Sequence, residues 1–198
     1  MKLRDLFNRK RNKTVLIVQC RLSSTRLPGK ALLPLGGKTV LEWVLASMKK
    51  VKADRYYLAV DEKSCEQLAP IALKCGWDFF AGSETDVLDR FCNVIKMSKA
   101  DTVIRATADN PFLFYEAAQS LAEEYDLRNS TANVDYITYT GLPHGSGVEM
   151  FNAHSLLKAA WTMIMNTWGL LCTTIPTVLT VFLYVHPRDS AVPNSGLQ

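Results

Sequence analysis

The sequence has few of the features that mark a secreted or disulfide-stabilised protein. Its five cysteines are odd in number and form no C-x-x-C pair, which argues against a disulfide framework and a thiol zinc site. The apolar run after the basic start is too short for the core of a secretion signal, so we expect a cytoplasmic protein. No internal repeat or low-complexity tract occurs, and the 198 residues are enough for one globular domain with a sizeable core.

The sequence also has almost no net charge outside its first 13 residues. Residues 1–13 hold six of the 23 basic and one of the 19 acidic residues, which leaves 17 basic against 18 acidic. Such a balanced body lacks the extended basic surface that nucleic-acid binding needs, so we predict no nucleic-acid partner. The basic arm, residues 1–13, is typical of a solvated lead-in, and contact with nucleic acid or anionic lipid is the alternative.

The most distinctive chemistry follows a short apolar run. Residues 15–18 predict a buried strand, and residues 19–30 then bring together cations, hydroxyl side chains and a Pro-Gly turn. Neither G-x-x-x-x-G-K-[ST] nor G-x-G-x-x-G occurs, so this first loop is not one of the two common phosphate-binding loops. Its guanidinium, ammonium, hydroxyl and N–H groups can hold a polyphosphate at the carboxyl end of a strand, and a solvated basic loop is the alternative.

Strand-like and helix-like segments alternate along the rest of the chain. This alternation, with short connections, predicts an α/β fold with a mostly parallel sheet. Ser83 is expected to cap the third helix. Further strands are predicted at residues 55–60, 77–80, 101–106, 134–139 and 147–151, and helices at residues 39–50, 64–75, from 83 onward and 115–125.

Asp109 follows the strand predicted at residues 101–106. An aspartate there is often a turn or cap residue, which is the alternative reading. Because the carboxyl ends of parallel strands share one edge of a sheet, its carboxylate would face the first loop and repel a polyphosphate unless a cation bridged them. We therefore predict Mg²⁺ at this position.

The pattern Q-x-R-x-x-S-T-R-L-P-G-K after the first strand resembles the signature of the sugar cytidylyltransferases. These include the acylneuraminate and 3-deoxy-manno-octulosonate enzymes and the spore-coat polysaccharide biosynthesis protein F group. The resemblance covers residues 14 to about 160, taken as a nucleotidyltransferase domain. It implies a Rossmann-like, three-layer α/β/α nucleotide-diphospho-sugar transferase fold with a mixed sheet. It also implies CTP and a sugar as substrates, and a homodimer.

The resemblance assigns roles to individual residues. Arg21, Lys30 and Asp109 match catalytic positions, and Asp109 with Glu149 match the metal ligands. In the implied reaction a sugar hydroxyl attacks the α-phosphorus of CTP in line, and pyrophosphate leaves. The implied nucleotide-binding residues are Gln19, Arg21, Ser24, Thr25, Arg26, Lys30, Asp61, Ser83, Asp86, Arg90 and Arg105.

Three later segments carry the resemblance further. Residues 82–90 match G-S-x-x-D-V-L-D-R, which borders the base and ribose in the family, although a capped helix with an Asp86–Arg90 pair would explain them as well. Residues 105–109 match R-x-T-x-D, and residues 144–151 align with D-G-L-D-V-E-[VM]-F. Here Gly147 replaces an aspartate and His144 another acid. Ala108 replaces the glycine before the metal-binding aspartate.

The last part of the chain departs from this pattern. Residues 159–185 carry no charge, so a membrane span is the alternative by length. We predict instead that residues 161–198 are an aberrant, frameshifted tail, that the fold is incomplete there, and that activity is impaired. Reading from the third base of the Trp161 codon permits D-D-D-Y-E-H-V-G-P-A-L-Y-N-H-P, which resembles the family's Y-E-R-E-H-V-x-P-Y-I-Y-N-H-P. The remaining alternatives are a non-catalytic nucleotide-binding remnant, and an enzyme that uses another NTP and a sugar 1-phosphate.

Overall fold

A computed structural model describes residues 12–23, 27–143, 145–168 and 181–185 of the chain. The helices are α1 (Val40–Met48), α2 (Cys65–Lys74), α3 (Val87–Ser98), α4 (Tyr115–Asn129) and α5 (Ala153–Trp168). The strands are β1 (Thr14–Cys20), β2 (Pro34–Leu35), β3 (Lys38–Thr39), β4 (Arg55–Asp61), β5 (Asp78–Gly82), β6 (Thr102–Thr107), β7 (Tyr136–Thr140), β8 (Glu149–Asn152) and β9 (Val181–Val185).

Within the described residues, seven strands form one mixed sheet in the order β5-β4-β1-β6-β8-β7-β9, and β2 pairs with β3 in a separate hairpin. β4, β1 and β6 run parallel, as do β4 and β5, whereas β8 is antiparallel to β6 and β7. The predicted α/β class with a mostly parallel, mixed sheet is confirmed. Because β1, β4 and β6 are parallel neighbours, the loops that follow them leave the same edge of the sheet.

The sheet is buried on both faces, which explains why β1 reads as a continuous apolar run. Leu16 and Val18 belong to a core that includes Leu41 of α1 and Leu121 of α4. Ile17 belongs to the opposite core, with side chains of α3 such as Phe91, Val94 and Ile95. Burial of each such side chain stabilises the fold by roughly 1.5–3 kcal/mol, so β1 is a rigid base for the loop that follows it.

The helix after the first loop begins at a capping box. Thr39 Oγ1 accepts a hydrogen bond from the Glu42 N–H at 3.2 Å, and the Glu42 carboxylate accepts one from the Thr39 N–H at 2.7 Å. The hydrogen bonds that the Glu42 carboxylate accepts from the Thr39 N–H, from Lys74 and from the Thr39 hydroxyl lower its pKa to about 2. The Trp43 indole donates to the Leu35 carbonyl at 2.7 Å, which ties the β2–β3 hairpin to α1.

One predicted helix start is wrong. The N-cap of α3 is Asp86, whose Oδ1 accepts the Asp89 N–H at 2.9 Å. The Ser83 Oγ accepts the Asp86 N–H at 3.0 Å and so closes the turn before the helix. Both residue types favour caps, and Asp86 takes the position because it directly precedes Val87, the first residue of α3.

The predicted boundary between residues 160 and 161 falls inside α5, and β9 extends the sheet beside β7. The basic arm up to residue 11 and residues 169–180 and 186–198 of the predicted tail lie outside the described residues. Within the described part of the chain, no helix has both the length and the apolar character that a membrane crossing requires.

Candidate active site

The carboxyl ends of β1, β4 and β6 bring several of the predicted site residues to one edge of the sheet, among them Arg21, Asp61 and Asp109. The Ala108 N–H donates to the Gln19 carbonyl at 3.0 Å, which joins the loop after β6 to the end of β1. Cys20 lies at this junction, where burial first, and then the charges of Asp61 and Asp109, raise the pKa of its thiol to about 12. Both carboxylates therefore lie close to the start of the first loop.

The first loop is closed at its base by one backbone hydrogen bond. The Gly29 N–H donates to the Leu22 carbonyl at 3.0 Å, and we call this contact the loop neck. Gly29 has a left-handed φ of 68°, which glycine adopts at no steric cost, and a 3₁₀ turn begins at Lys30. The exposed Arg21 and the half-buried Lys30 thus flank the neck. Ser24, Thr25 and Arg26 lie outside the described residues.

Asp61, at the end of β4, is fully buried beside this loop. Its Oδ1 accepts the Ser64 N–H at 3.0 Å and its Oδ2 accepts the Ser64 hydroxyl at 2.7 Å. The Ser64 Oγ in turn accepts the Leu22 N–H at 3.0 Å. The residue that links Asp61 to the first loop, Ser64, was not predicted, although a hydroxyl three residues after a strand-end aspartate is a recognisable turn pattern.

Arg90 of α3 is buried below the turn at residues 83–86. Burial lowers the pKa of its guanidinium, while the charge of Asp61 acts in the opposite direction. Its Nη1 donates to the Ser83 carbonyl, and among the described residues its Nε has no hydrogen-bond partner. Arg90, which was predicted to bind the nucleotide, therefore lies near Asp61. The exposed Asp86 carboxylate caps α3.

Arg105 connects two of the predicted residues on the face of the sheet. Its Nη1 donates to the Glu149 carboxylate, and its Nε donates to the Gln19 Oε1 at 3.3 Å. The Tyr136 hydroxyl donates to the other oxygen of Glu149 at 3.1 Å, and burial together with Glu149 raises the pKa of Tyr136 to about 12. Tyr136 thus stays a donor over the ordinary pH range. It was not predicted as a site residue, because nothing in the sequence reports its pairing with β8.

Asp109 is exposed on the loop after β6. The next residue, Asn110, accepts the Phe112 N–H at 2.9 Å through its Oδ1, which fixes the turn. The Ser146 carbonyl accepts the Phe114 N–H at 3.1 Å, so the loop before β8 packs against the Asp109 loop. Gly145 adopts a left-handed φ of 76° there, a conformation that favours glycine. His144 lies outside the described residues.

Asp109 and Glu149 are the residues predicted to bind Mg²⁺. Among the described residues no three His, Cys, Asp or Glu side chains are grouped to hold a metal ion by themselves. Mg²⁺ at phosphate-transfer sites usually takes only one or two carboxylates and completes its shell with water and substrate oxygens, and the exposed Asp109 fits that role. Both oxygens of Glu149 already accept hydrogen bonds, so a metal there would compete with Arg105 or Tyr136. Its role as a ligand stays a prediction.

Sequence comparisons identify relatives of most of the chain. Residues 15–162 match the family described as Cytidylyltransferase. Uncharacterized protein MJ1063 of Methanocaldococcus jannaschii is 36% identical over 149 residues, which cover 74% of this chain and 60% of that protein. Spore coat polysaccharide biosynthesis protein SpsF of Bacillus subtilis is 34% identical over 152 residues, covering 74% and 62%. A 3-deoxy-manno-octulosonate cytidylyltransferase of Fusobacterium nucleatum is 34% identical over 122 residues, covering 58% and 49%. The chain thus spans about half to three fifths of the length of these relatives.

Solved structures share the fold at lower identity. A cytidylyltransferase from Leptospira borgpetersenii superposes with a TM-score of 0.76 at 24% identity, covering 90% of this chain and 78% of that one. CMP:2-keto-3-deoxy-manno-octonic acid synthetase complexed with CTP gives 0.66 at 16%, covering 88% and 90%. Rv0371c of Mycobacterium tuberculosis complexed with manganese gives 0.57 at 14%, covering 88% and 89%. The Rossmann-like nucleotidyltransferase fold is therefore confirmed.

Proposed function

Because the chain belongs to the cytidylyltransferase family, we propose that it is a CTP-dependent nucleotidyltransferase that activates a sugar. A sugar hydroxyl oxygen forms a bond to the α-phosphorus of CTP, the bond from that phosphorus to the bridging β-phosphate oxygen breaks, and the hydroxyl proton is released. The products are a CMP-sugar and pyrophosphate. The observation that supports the proposal is that the loop after β6, which carries Asp109, is hydrogen-bonded to the end of β1, where the first loop with Arg21 and Lys30 begins.

The phosphate end of the site is assigned to the first loop. Arg21, Arg26 and Lys30 bind the triphosphate through charge-assisted hydrogen bonds, so the leaving pyrophosphate is neutralised without a protein nucleophile. Asp109, and Glu149 by the same proposal, would hold Mg²⁺. When bound, that ion supplies positive charge at the α-phosphate region. A manganese complex of a protein with this fold supports divalent metal use.

The nucleoside end is assigned to the segment around α3. Ser83, Asp86 and Arg90 border the base and ribose, with Ser24 and Thr25 completing the loop side. Gln19 contributes its amide from the end of β1, where its Oε1 accepts from Arg105 and its Nε2 is left to donate. Asp61 and Arg105 are the remaining proposed nucleotide-site residues. Asp61 acts through Ser64, and Arg105 acts through Gln19, to which each is hydrogen-bonded.

The acceptor is proposed to be an acidic or surface-polysaccharide sugar. The names of two relatives support this class: one is a spore coat polysaccharide biosynthesis protein and the other acts on 3-deoxy-manno-octulosonate. A cytoplasmic homodimer is proposed with it, since CTP is a cytoplasmic substrate. We propose neither a nucleic-acid partner nor attachment to a membrane.

We further propose that residues 14–160 form the nucleotidyltransferase domain and that this form of the chain is impaired. Residues 161–198 offer many apolar side chains without a regular polar pattern, which does not specify a single packing. The acidic segment written in the alternative frame would lie near the sugar end of the site by resemblance. A non-catalytic nucleotide-binding remnant is the second candidate.

The test is pyrophosphate release by the frame-restored chain with CTP, Mg²⁺ and a panel of acidic and neutral sugars. We expect release with at least one sugar. Absence of both release and CTP binding would reject the proposal, whereas CTP binding without turnover would favour the remnant. Repeating the assay with ATP, GTP and UTP, and with sugar 1-phosphates, distinguishes the proposed enzyme from one that uses another NTP and a sugar 1-phosphate.

A further inference from the structure

We propose that Asp61 and Ser64 are positioning residues that hold the neck of the first loop, and so set the placement of Arg21 and Lys30. The proposal rests on the proposed function for its effect on CTP. The hydrogen-bonded contact itself can be tested without any substrate.

A continuous chain of hydrogen bonds links the end of β4 to the loop neck. The Ser64 hydroxyl donates to the Asp61 Oδ2 at 2.7 Å, and the Leu22 N–H donates to the Ser64 Oγ at 3.0 Å. The Leu22 carbonyl then accepts the Gly29 N–H at 3.0 Å. Both polar groups of the Leu22 backbone are therefore fixed, one to Ser64 in the turn after β4 and one across the loop.

Burial separates this role from direct contact with a nucleotide. Asp61 is 0% exposed and Ser64 is 2% exposed, and each Asp61 oxygen already accepts a hydrogen bond. A ligand in the open edge of the sheet cannot reach that carboxylate. Asp61 therefore acts on the site through Ser64 and the Leu22 backbone.

The neck sets the relative placement of two cations. Arg21 immediately precedes Leu22, and Lys30 immediately follows Gly29, so each lies one residue from the hydrogen bond that closes the loop. The left-handed Gly29 directs the chain into the 3₁₀ turn that begins at Lys30. Fixing both ends of the loop before CTP arrives removes part of the ordering cost of binding.

The buried Asp61 charge has a nearby compensating cation. Arg90 is itself buried, and the charge of Asp61 favours its protonated form. A buried carboxylate is costly unless its charge is compensated and hydrogen-bonded, and Asp61 accepts two hydrogen bonds from Ser64 and interacts with the charge of Arg90. The arrangement therefore keeps a strong acceptor for the Ser64 hydroxyl in the interior.

Ser64→Ala removes the contact with little change of volume. We expect the Leu22 amide hydrogen to exchange at least about tenfold faster, since its acceptor is lost, while the Val18 amide in β1 is unchanged. CTP affinity should fall about tenfold, the ratio expected for one lost hydrogen bond. Ser64→Thr, which keeps the hydroxyl, should restore both. Ser98→Ala is the matched control, because Ser98 is also buried and donates only to the Ile95 carbonyl.

The hydrogen-bonded contact and its effect on CTP binding can be tested separately. Unchanged exchange at Leu22 in Ser64→Ala would overturn the contact. Faster exchange with unchanged CTP affinity, in a chain whose Lys30→Ala variant does lose affinity, would overturn the positioning role. If the unmodified chain binds no CTP, the proposed function fails, and the exchange measurement still decides whether Asp61 and Ser64 hold the neck.

Discussion

Arg105 and Glu149 lie directly opposite one another on the antiparallel strands β6 and β8, and their side chains form an ion pair. The pair is about one-third exposed, with 32% and 30% of the two side chains accessible. Tyr136 and Gln19 extend it on either side. The pairing means that Glu149 can act by holding Arg105, whether or not it also binds a metal.

This relationship predicts coupling between Arg105 and Glu149 in the absence of metal. A double-mutant cycle of Arg105→Gln and Glu149→Gln, measured by urea unfolding in EDTA, should give roughly 0.5–1 kcal/mol of coupling. The more exposed Arg55–Asp78 pair, at 57% and 46%, should give less. A coupling free energy no larger than that of the Arg55–Asp78 pair would mean that Arg105 and Glu149 do not stabilise each other.

Glu42 predicts a specific pH dependence of stability. Hydrogen bonds from Thr39 and Lys74 lower its pKa from 4.5 to about 2, so the folded state favours the ionised form. The stability it contributes is fully present above pH 4.5 and is lost as the pH falls through about 2. The difference in unfolding free energy between the unmodified chain and Glu42→Gln should therefore shrink below pH 4.5. Glu66→Gln, an exposed change in the first turn of α2, serves as the control, and a difference that grows on acidification would refute the capping role.

Asp109→Asn should leave the fold intact and remove the response to Mg²⁺. The exposed carboxylate is replaced by a weaker neutral ligand of the same shape, so CTP should bind with an affinity that no longer rises with Mg²⁺. Calorimetric titration of CTP at several Mg²⁺ concentrations measures this. Asp78→Asn, in β5, is the control. A Mg²⁺ response in Asp109→Asn equal to that of the unmodified chain would move the metal to other residues.

The tail hypothesis makes a prediction about the gene. The reading frame that starts at the third base of the Trp161 codon should be open and should encode Glu-His-Val-Gly-Pro. Restoring it should raise solubility and activity together. A stop codon soon after this point, or a different peptide, would remove the frameshift explanation, and fractionation of the chain as written would then test the membrane alternative.

The fold was largely predictable because its signals are local. The apolar run of β1, the polar loop after it and the alternation of strands and helices are all visible in the sequence, and a mostly parallel sheet follows from them. The N-cap of α3 was mispredicted because Ser83 and Asp86, which are three residues apart, are both residue types that favour an N-cap.

The missed contacts depend on register and burial. The Arg105–Glu149 pair exists because β8 runs antiparallel to β6 with one particular alignment, which no local pattern reports. Asp61 was predicted only as a nucleotide-binding residue, whereas its carboxylate is fully buried and accepts two hydrogen bonds from Ser64. In both cases the residue type was informative, whereas its partner was set by tertiary structure.

Titration of CTP in the presence of Mg²⁺ tests the central claim, that the first loop is the triphosphate site, most directly. Arg21→Ala, Arg26→Ala and Lys30→Ala should each weaken binding by about 1.5–3 kcal/mol, the value of a hydrogen bond to a charged group, or roughly ten- to hundredfold. Arg55→Ala, at the amino end of β4 and thus at the opposite edge of the sheet, should bind CTP like the unmodified chain. Equal CTP affinity in all four folded variants would contradict the account.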